Sequence, residues 1–183
     1  MQKCKYFLEM TVMTNDKKFH TLVLAALFAA LCTVMTMVIQ IPSPMQGYVN
    51  LGDCAVLLAA WVLGPWYGGA AAGVGSMLAD LLSAPHYAPG TLVIKFAMGV
   101  AAGLLFRVLR GRQGGCAAAQ LVSGLAAELI MVAGYFGYAC LWLGRGLAAA
   151  ASIPGNLVQG AIGLALACAV YTLLGRSHAL ERV

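Results

Sequence analysis

Four ionisable side chains lie within or at the ends of long apolar stretches of the sequence: Asp53, Asp80, Lys95 and Glu128. In the hydrocarbon core of a membrane a charged side chain costs about 3 kcal/mol or more, so each charge kept there is a candidate functional group. One amine and three carboxyl groups can pair with one another or with the polar groups of a small molecule.

Amides and phenols accompany these charges. They are Asn50, Tyr135, Tyr138, Asn156 and Gln159, with Gln46 and Tyr48 close by in the sequence. Each amide presents both a hydrogen-bond donor and an acceptor, and each tyrosine ring offers a flat face for stacking. This combination favours a binding site for a small heterocycle.

The motifs of common catalytic and nucleotide-binding sites are absent from the sequence. It contains no GxxxxGK[ST] phosphate loop, no HExxH and no GxSxG, and Gly73 and Gly75 do not complete a dinucleotide fingerprint. The three histidines are scattered, and the six cysteines include no CxxC pair. We therefore predict no enzyme activity, no cofactor, no metal site and no ATP hydrolysis by this chain.

Six apolar stretches carry these residues, at roughly 19–41, 49–63, 65–84, 89–106, 117–143 and 153–174. Apolar residues make up 62% of the chain and charged residues 9%, whereas soluble domains carry about 25% charged residues. The mean hydropathy is +0.87. The sequence predicts an all-α protein, an integral membrane bundle of six transmembrane helices.

The basic residues indicate the orientation of this bundle. Nine fall before the first stretch, between the fourth and fifth, or after the sixth: Lys3, Lys5, Lys17, Lys18, Arg107, Arg110, Arg112, Arg176 and Arg182. Only Arg145 falls on the opposite side. We expect the protein to lie in the cytoplasmic membrane. The positive-inside rule then places both termini in the cytoplasm. We divide the chain into a short cytoplasmic segment (1–18), a membrane domain (19–175) and a cytoplasmic tail (176–183).

The same charges argue against a nucleic-acid partner. The net charge of +5 is explained by topology and by contacts with anionic lipid headgroups. No basic stripe interleaved with aromatic residues is present.

In this orientation the polar groups gather in the outward half of the bundle. Asp53, Asp80 and Lys95 lie near the outer ends of their spans and Glu128 near the middle of the fifth, while the inward half is almost entirely Ala, Leu, Val and Gly. This predicts a cavity open to the outside on an apolar base. The alternative is that the charges form structural ion pairs, for which Asp53 and Asp80, at helix ends, are the strongest candidates.

Ordered short motifs carry a family resemblance. They are GYVNLGD (47–53), LGP (63–65), ADLL (79–82), IKF (94–96), GYF (134–136) and IPGNLVQG (153–160). In this order the chain resembles the substrate-binding S components of energy-coupling factor (ECF) vitamin transporters over roughly residues 19–175. The resemblance implies capture of a vitamin or vitamin precursor from outside, followed by delivery inward with a membrane scaffold subunit and cytoplasmic ATPase subunits.

The resemblance also implies site residues. Pocket positions of the family correspond to Asn50, Lys95, Glu128, Tyr135, Asn156 and Gln159, to which we add Asp80 and Tyr138. Lys95 would meet a ligand carboxylate, phosphate or ring acceptor, and Glu128 a ring amine or hydroxyl. Ala25, Ala26, Ala29 and Ala30 match the small-residue patch that the family uses to contact the scaffold, since small residues permit close helix approach. The ligand expected is a pyridoxine, hydroxymethylpyrimidine or riboflavin type of vitamin.

Two other functions compete with this interpretation. A self-sufficient proton-coupled transporter would use Asp80, Glu128 and Lys95 as a relay, but an inward half so poor in polar groups offers no route through. An intramembrane enzyme would need acidic and histidine residues at one depth, and the sequence shows no such set.

Overall fold

A computed structural model of the chain describes residues 2–43, 47–111 and 116–177. These ranges contain six α-helices: α1 (Gln2–Val38), α2 (Gly52–Leu63), α3 (Pro65–Ser83), α4 (Ala88–Gly111), α5 (Cys116–Gly137) and α6 (Ile153–Arg176). The tail from residue 178 onward, Arg112 and Gln46 lie outside the described residues. The prediction of an all-α bundle is confirmed.

Four segments are long and apolar enough to cross a membrane. They are Lys18–Val38, Ala88–Arg110, Cys116–Trp142 and Gly146–Arg176, which coincide with the first, fourth, fifth and sixth predicted spans. The second span corresponds to α2, which has only 12 residues, and the third to the 19-residue α3. Large apolar side chains such as Leu22, Leu129 and Leu157 cover the outer faces of the bundle, as expected of helices that face lipid.

The loop expected after the first span contains a small hairpin. Strand β1 (Ile41–Ser43) pairs antiparallel with β2 (Gly47–Val49), and Pro42 lies opposite Tyr48. The second helix consequently begins at Gly52, three residues later than predicted. Strands of three residues are too short to show alternating hydrophobicity, so no periodic pattern predicts them.

The break between α2 and α3 is confirmed at Leu63-Gly64-Pro65. Gly64 has a φ of 83°, which L-residues with a side chain rarely adopt, and Pro65 occupies the first turn of α3, where its missing N–H costs nothing. A Cβ on Gly64 would also overlap the guanidinium of Arg107. Helix α3 packs against α1, α2 and α4, and its glycines allow close approach: a Cβ on Gly73 would lie 2.8 Å from the carbonyl oxygen of Leu92.

The apolar end of the bundle contains more polar groups than expected. The indole of Trp61 donates to the hydroxyl of Ser123 at 3.1 Å, and Gln120 is buried near the start of α5. The guanidinium of Arg110 lies 3.4 Å from the hydroxyl of Tyr171. The expectation of an inward half made almost entirely of Ala, Leu, Val and Gly was therefore wrong, because Trp61 and Ser123 can be buried together there when each satisfies the other's hydrogen bond.

Candidate functional site

A cavity opens at the end of the bundle where the hairpin, the end of α3 and the start of α6 meet. Its volume is about 500 Å³, including the part that is open to solvent. Eleven residues line it, most of them polar or aromatic: Ser43, Gly47, Tyr48, Asn50, Asp80, Ala84, Tyr87, Tyr135, Ser152, Asn156 and Gln159. Such a wall can hold a flat, hydrogen-bonding small molecule.

Asp80 is the centre of the hydrogen bonds in the cavity wall. It lies in the last turn of α3 and is 6% exposed. The Tyr48 hydroxyl donates to Oδ1 and the Thr91 hydroxyl donates to Oδ2. The Thr91 and Tyr135 hydroxyls lie 3.0 Å apart. One carboxylate thus connects the hairpin with α3, α4 and α5.

Tyr48 is kept in its donor form by its surroundings. Burial, and after it the neighbouring Asp80 carboxylate, raises the pKa of the Tyr48 phenol above its ordinary value. A neutral phenol can donate to a carboxylate, whereas a phenolate cannot. The bond between the hairpin and α3 therefore persists at neutral pH.

Aromatic rings form the side of the cavity nearest the α3–α4 turn. The ring centroids of Tyr87 and Tyr135 lie 6.2 Å apart at 74°, and those of Tyr87 and Tyr138 lie 6.1 Å apart. The guanidinium of Arg145 lies 5.8 Å from the centre of the Tyr87 ring. Burial raises the pKa of the Tyr87 phenol. Tyr138 itself donates to the carbonyl oxygen of His86 at 3.0 Å and is not a lining residue.

Gln159 joins the cavity wall to the interior of the bundle. Its Oε1 accepts from the backbone N–H of Asn50 at 2.8 Å, and its Nε2 donates to Oδ2 of Asp53 at 2.7 Å. The side-chain Oδ1 of Asn50 accepts from the backbone N–H of Gly52 at 2.8 Å, at the start of α2. Both amides are therefore held in one orientation by the chain itself.

Lys95 forms an ion pair with Asp53 and does not line the cavity. The two side chains are 3% and 0% exposed, and the Lys95 amine also lies 5.6 Å from the centre of the Tyr135 ring. The sequence offered two partners for Lys95, a ligand group or an acidic residue of the bundle. In the structure its partner is the acidic residue.

Glu128 lies deeper in the bundle. It is 7% exposed, and its carboxyl group lies beside that of Asp53 without a hydrogen bond of normal geometry to any described residue. The charges of Asp53 and Lys95 act on it, and Gly160 of α6 gives it room, since a Cβ there would lie 2.8 Å from Oε2. It does not line the cavity.

The structure thus brings together part of the predicted site. Asn50, Asp80, Tyr135, Asn156 and Gln159 line the cavity, whereas Lys95, Glu128 and Tyr138 do not. The lining residues that the prediction left out are Ser43, Gly47, Tyr48, Ala84, Tyr87 and Ser152. Tyr48 and Tyr87 could have been predicted as lining residues, because each is an aromatic residue next to a helix end on the predicted outer side. Nothing in the sequence distinguishes Ser43 and Ser152 as lining residues.

The four alanines of α1 do not share one face. Ala26 and Ala30 are exposed, Ala25 is 8% exposed and packs with Ala59 and Ala71, and Ala29 is half-buried. A Cβ on Gly75 of α3 would overlap the carbonyl oxygen of Ala29. Ala26 and Ala30 are the two of the four that are exposed.

Among the side chains that the structure describes, at residues 18–43, 47–110 and 116–177, no three acidic, histidine or cysteine groups lie close enough together to hold a metal ion.

Comparison with known proteins bears on the family and on the fold. The family model of the ECF-type riboflavin transporter S component matches residues 16–176. An uncharacterised protein of Pyrococcus woesei is 38% identical over 135 residues, covering 72% of this chain and 86% of that protein. A solved structure of the S component of a bacterial ECF transporter has a TM-score of 0.63 at 18% identity and covers 87% of this chain and 97% of that one. At that identity the last comparison bears on the fold.

Proposed function

The chain belongs to the family of ECF-type riboflavin transporter S components, and on that premise we propose that it captures riboflavin or a close flavin analogue from outside the cell. It is a membrane protein and a substrate-binding subunit by family. The observation that carries the choice of ligand is the wall of the cavity, which combines aromatic rings with amides of fixed orientation.

The chemistry of a flavin matches these groups. The isoalloxazine ring is flat and offers its faces to tyrosine rings such as Tyr87 and Tyr135. One edge of that ring presents an N–H between two carbonyl oxygens, which pairs well with carboxamides such as Asn156 and Gln159. The ribityl chain carries hydroxyls that would exchange hydrogen bonds with Asp80 and its neighbours.

The charge of the cavity favours an uncharged ligand. None of the eleven lining residues is Lys, Arg or His, and Asp80 is the acidic residue among them. Lys95, the cation that the sequence offered to a ligand anion, is paired with Asp53. A phosphorylated vitamin would therefore meet a carboxylate without a compensating cation in the wall, so we propose the unphosphorylated form as the ligand.

The proposal extends to the assembly. All six helices would lie in the membrane, with α2 and α3 packed inside or beside the longer four, the cavity facing outward and both termini in the cytoplasm. A scaffold subunit and two ATPase subunits would supply the energy for release inward, because this sequence has no phosphate-binding loop of its own.

Ligand binding tests the proposal directly. Protein purified in detergent from cells grown with riboflavin should release riboflavin on denaturation, identified by mass spectrometry. Riboflavin fluorescence should be quenched by the stripped protein with a Kd below about 1 µM, which corresponds to roughly −8 kcal/mol.

Two variants give this experiment its control. Asn156→Ala removes a lining amide and should raise the Kd at least tenfold, while Ser177→Ala, at the far end of α6, should leave it unchanged. Protein that carries no flavin and quenches nothing at 100-fold higher riboflavin concentration would contradict the proposal.

A further inference from the structure

The orientation of the Gln159 carboxamide is determined from both sides. The backbone N–H of Asn50 can only donate, so the atom that faces it at 2.8 Å must be Oε1. The carboxylate of Asp53 can only accept, so the atom that faces it at 2.7 Å must be Nε2. If the carboxamide were reversed, its amino group would face the Asn50 N–H, donor against donor. Its carbonyl oxygen would face the Asp53 carboxylate, acceptor against acceptor.

The ion pair behind Gln159 maintains this arrangement. Asp53 is 0% exposed and binds the Lys95 amine through its other oxygen, Oδ1. Oδ2 of Asp53 is thereby left to accept the hydrogen bond from Nε2 of Gln159. Neither Asp53 nor Lys95 lines the cavity. Gln159, which does line it, hydrogen-bonds directly to Asp53, and the Lys95 amine lies farther away, 5.6 Å from the centre of the Tyr135 ring.

Gln159 retains one lone pair on Oε1 and one hydrogen on Nε2 after these bonds are made, and it lines the cavity. We propose that Asp53 and Lys95 are positioning residues that fix the polarity of the Gln159 carboxamide, and that Gln159 thereby selects ligands whose ring edge carries an N–H beside a carbonyl oxygen. This inference rests on the proposed function, because riboflavin has such an edge.

A double variant tests the role of the pair. Asp53→Asn with Lys95→Met keeps both side chains close to their original size and removes both charges of the ion pair together. A single replacement would leave one of the two charges buried without its partner. The asparagine would present either an oxygen or an amino group to Gln159, so the carboxamide is no longer held from that side. Ser76→Ala, a buried hydroxyl of α3 away from the cavity, serves as the matched control.

The first measurement compares riboflavin with 3-methylriboflavin, in which the edge N–H is blocked. Wild-type protein should bind riboflavin at least tenfold more tightly, and in the double variant this ratio should fall at least threefold. A purely structural role of the ion pair would weaken both ligands equally and leave the ratio unchanged, which would overturn the inference. Ser76→Ala should keep the wild-type ratio.

The second measurement needs no ligand. In protein labelled with ¹⁵N-glutamine, the side-chain amide signal of Gln159, identified by its loss in Gln159→Leu, should exchange with solvent at least tenfold more slowly than that of the exposed Gln40–Ser83 pair. The double variant should abolish most of that protection. Equal exchange of Gln159 and Gln40 in the wild type, or unchanged exchange in the variant, would refute the positioning role even if riboflavin were not the ligand. If riboflavin does not bind but the Gln159 amide still exchanges slowly in the wild type, only the proposed function is refuted.

Discussion

At the scale of single residues, two carboxylates of similar sequence context have different surroundings. Asp53 and Asp80 each lie near a helix end, and the sequence offered both as structural ion-pair candidates. Asp53 is paired with Lys95 inside the bundle, whereas Asp80 accepts hydroxyl groups of the cavity wall. The sequence could not separate them, because Lys95 follows Asp53 by 42 residues and Asp80 by 15, and spacing in sequence does not determine which carboxylate the amine meets.

Replacing Tyr48 with phenylalanine should loosen the hairpin. The change removes one donor to the Asp80 carboxylate, and a hydrogen bond to a charged group contributes about 1.5–3 kcal/mol. We expect a lower unfolding midpoint in detergent and a riboflavin Kd raised about tenfold. Tyr67→Phe, at an exposed position at the start of α3, is the matched control and should change neither. An unaltered Kd in Tyr48→Phe would show that this bond is dispensable.

The same phenol makes a prediction about pH. Its pKa is raised in the folded protein, so the bond to Asp80 is present below the ordinary tyrosine pKa of about 10 and is lost only as pH rises through the higher folded value. Riboflavin affinity, measured by fluorescence titration, should therefore stay constant as the pH is raised from 7 to 9, below the range in which the imide N–H of the ligand itself ionises. A loss of affinity between pH 7 and 9 that disappears in Tyr48→Phe would contradict this prediction.

The buried ion pair should show strong coupling in stability measurements. Lys95→Met leaves the Asp53 carboxylate buried without its partner, a change that typically costs about 3–5 kcal/mol. Combining it with Asp53→Asn removes the unpaired charge, so the double variant should be more stable than either single variant. Thermal unfolding in detergent measures this, and additive losses from the two changes would exclude a direct pairing.

At the scale of helices and strands, the sequence predicted the four long spans well and the shorter elements less well. Long apolar runs such as those of α4 and α6 give a strong signal because a membrane helix needs about 20 apolar residues. The hairpin of β1 and β2 gives almost none. Helix α1 shows a second limit. The sequence places Ala25 and Ala29 on a face about 100° around the helix from that of Ala26 and Ala30, and all four were predicted as docking residues, but only packing decides which pair faces inward.

The two pairs of alanines should therefore respond differently to enlargement. Ala26→Leu with Ala30→Leu places bulk on the exposed face, so we expect normal riboflavin binding but a block of uptake in cells that contain the scaffold and ATPase subunits. Ala25→Leu places bulk against Ala59 and Ala71 and should destabilise the fold by about 1–3 kcal/mol. Uptake assays and thermal unfolding distinguish the two effects. Normal uptake with leucine at both exposed positions would remove this face from the docking surface.

At the scale of the whole molecule, the bundle has one end with a polar cavity and another closed by the rings of Trp61, Phe106 and Tyr171, whose centroids lie 5.6–5.7 Å apart. Arg107, Arg110 and Arg176 lie toward the closed end of their helices. The placement of these cations in the sequence was sufficient to predict that they lie at the end of the bundle opposite the polar cavity. It was not sufficient to predict the depth of the cavity, which depends on how the hairpin and the segment from Tyr138 to Ser152 fold over the helix ends.

The orientation of these two ends across the membrane can be tested by cysteine labelling. In a background without native cysteines, Ala148→Cys lies on the exposed surface beside the cavity end, and Ser177→Cys lies just beyond α6 at the other end. A membrane-impermeant maleimide applied to intact cells should label the first position and reach the second only after permeabilisation, because the positive-inside rule places the basic end in the cytoplasm. Each variant must first bind riboflavin as the cysteine-free parent does. Labelling of Ser177→Cys but not Ala148→Cys in intact cells would place the cavity on the cytoplasmic side, where it could not capture a vitamin from outside.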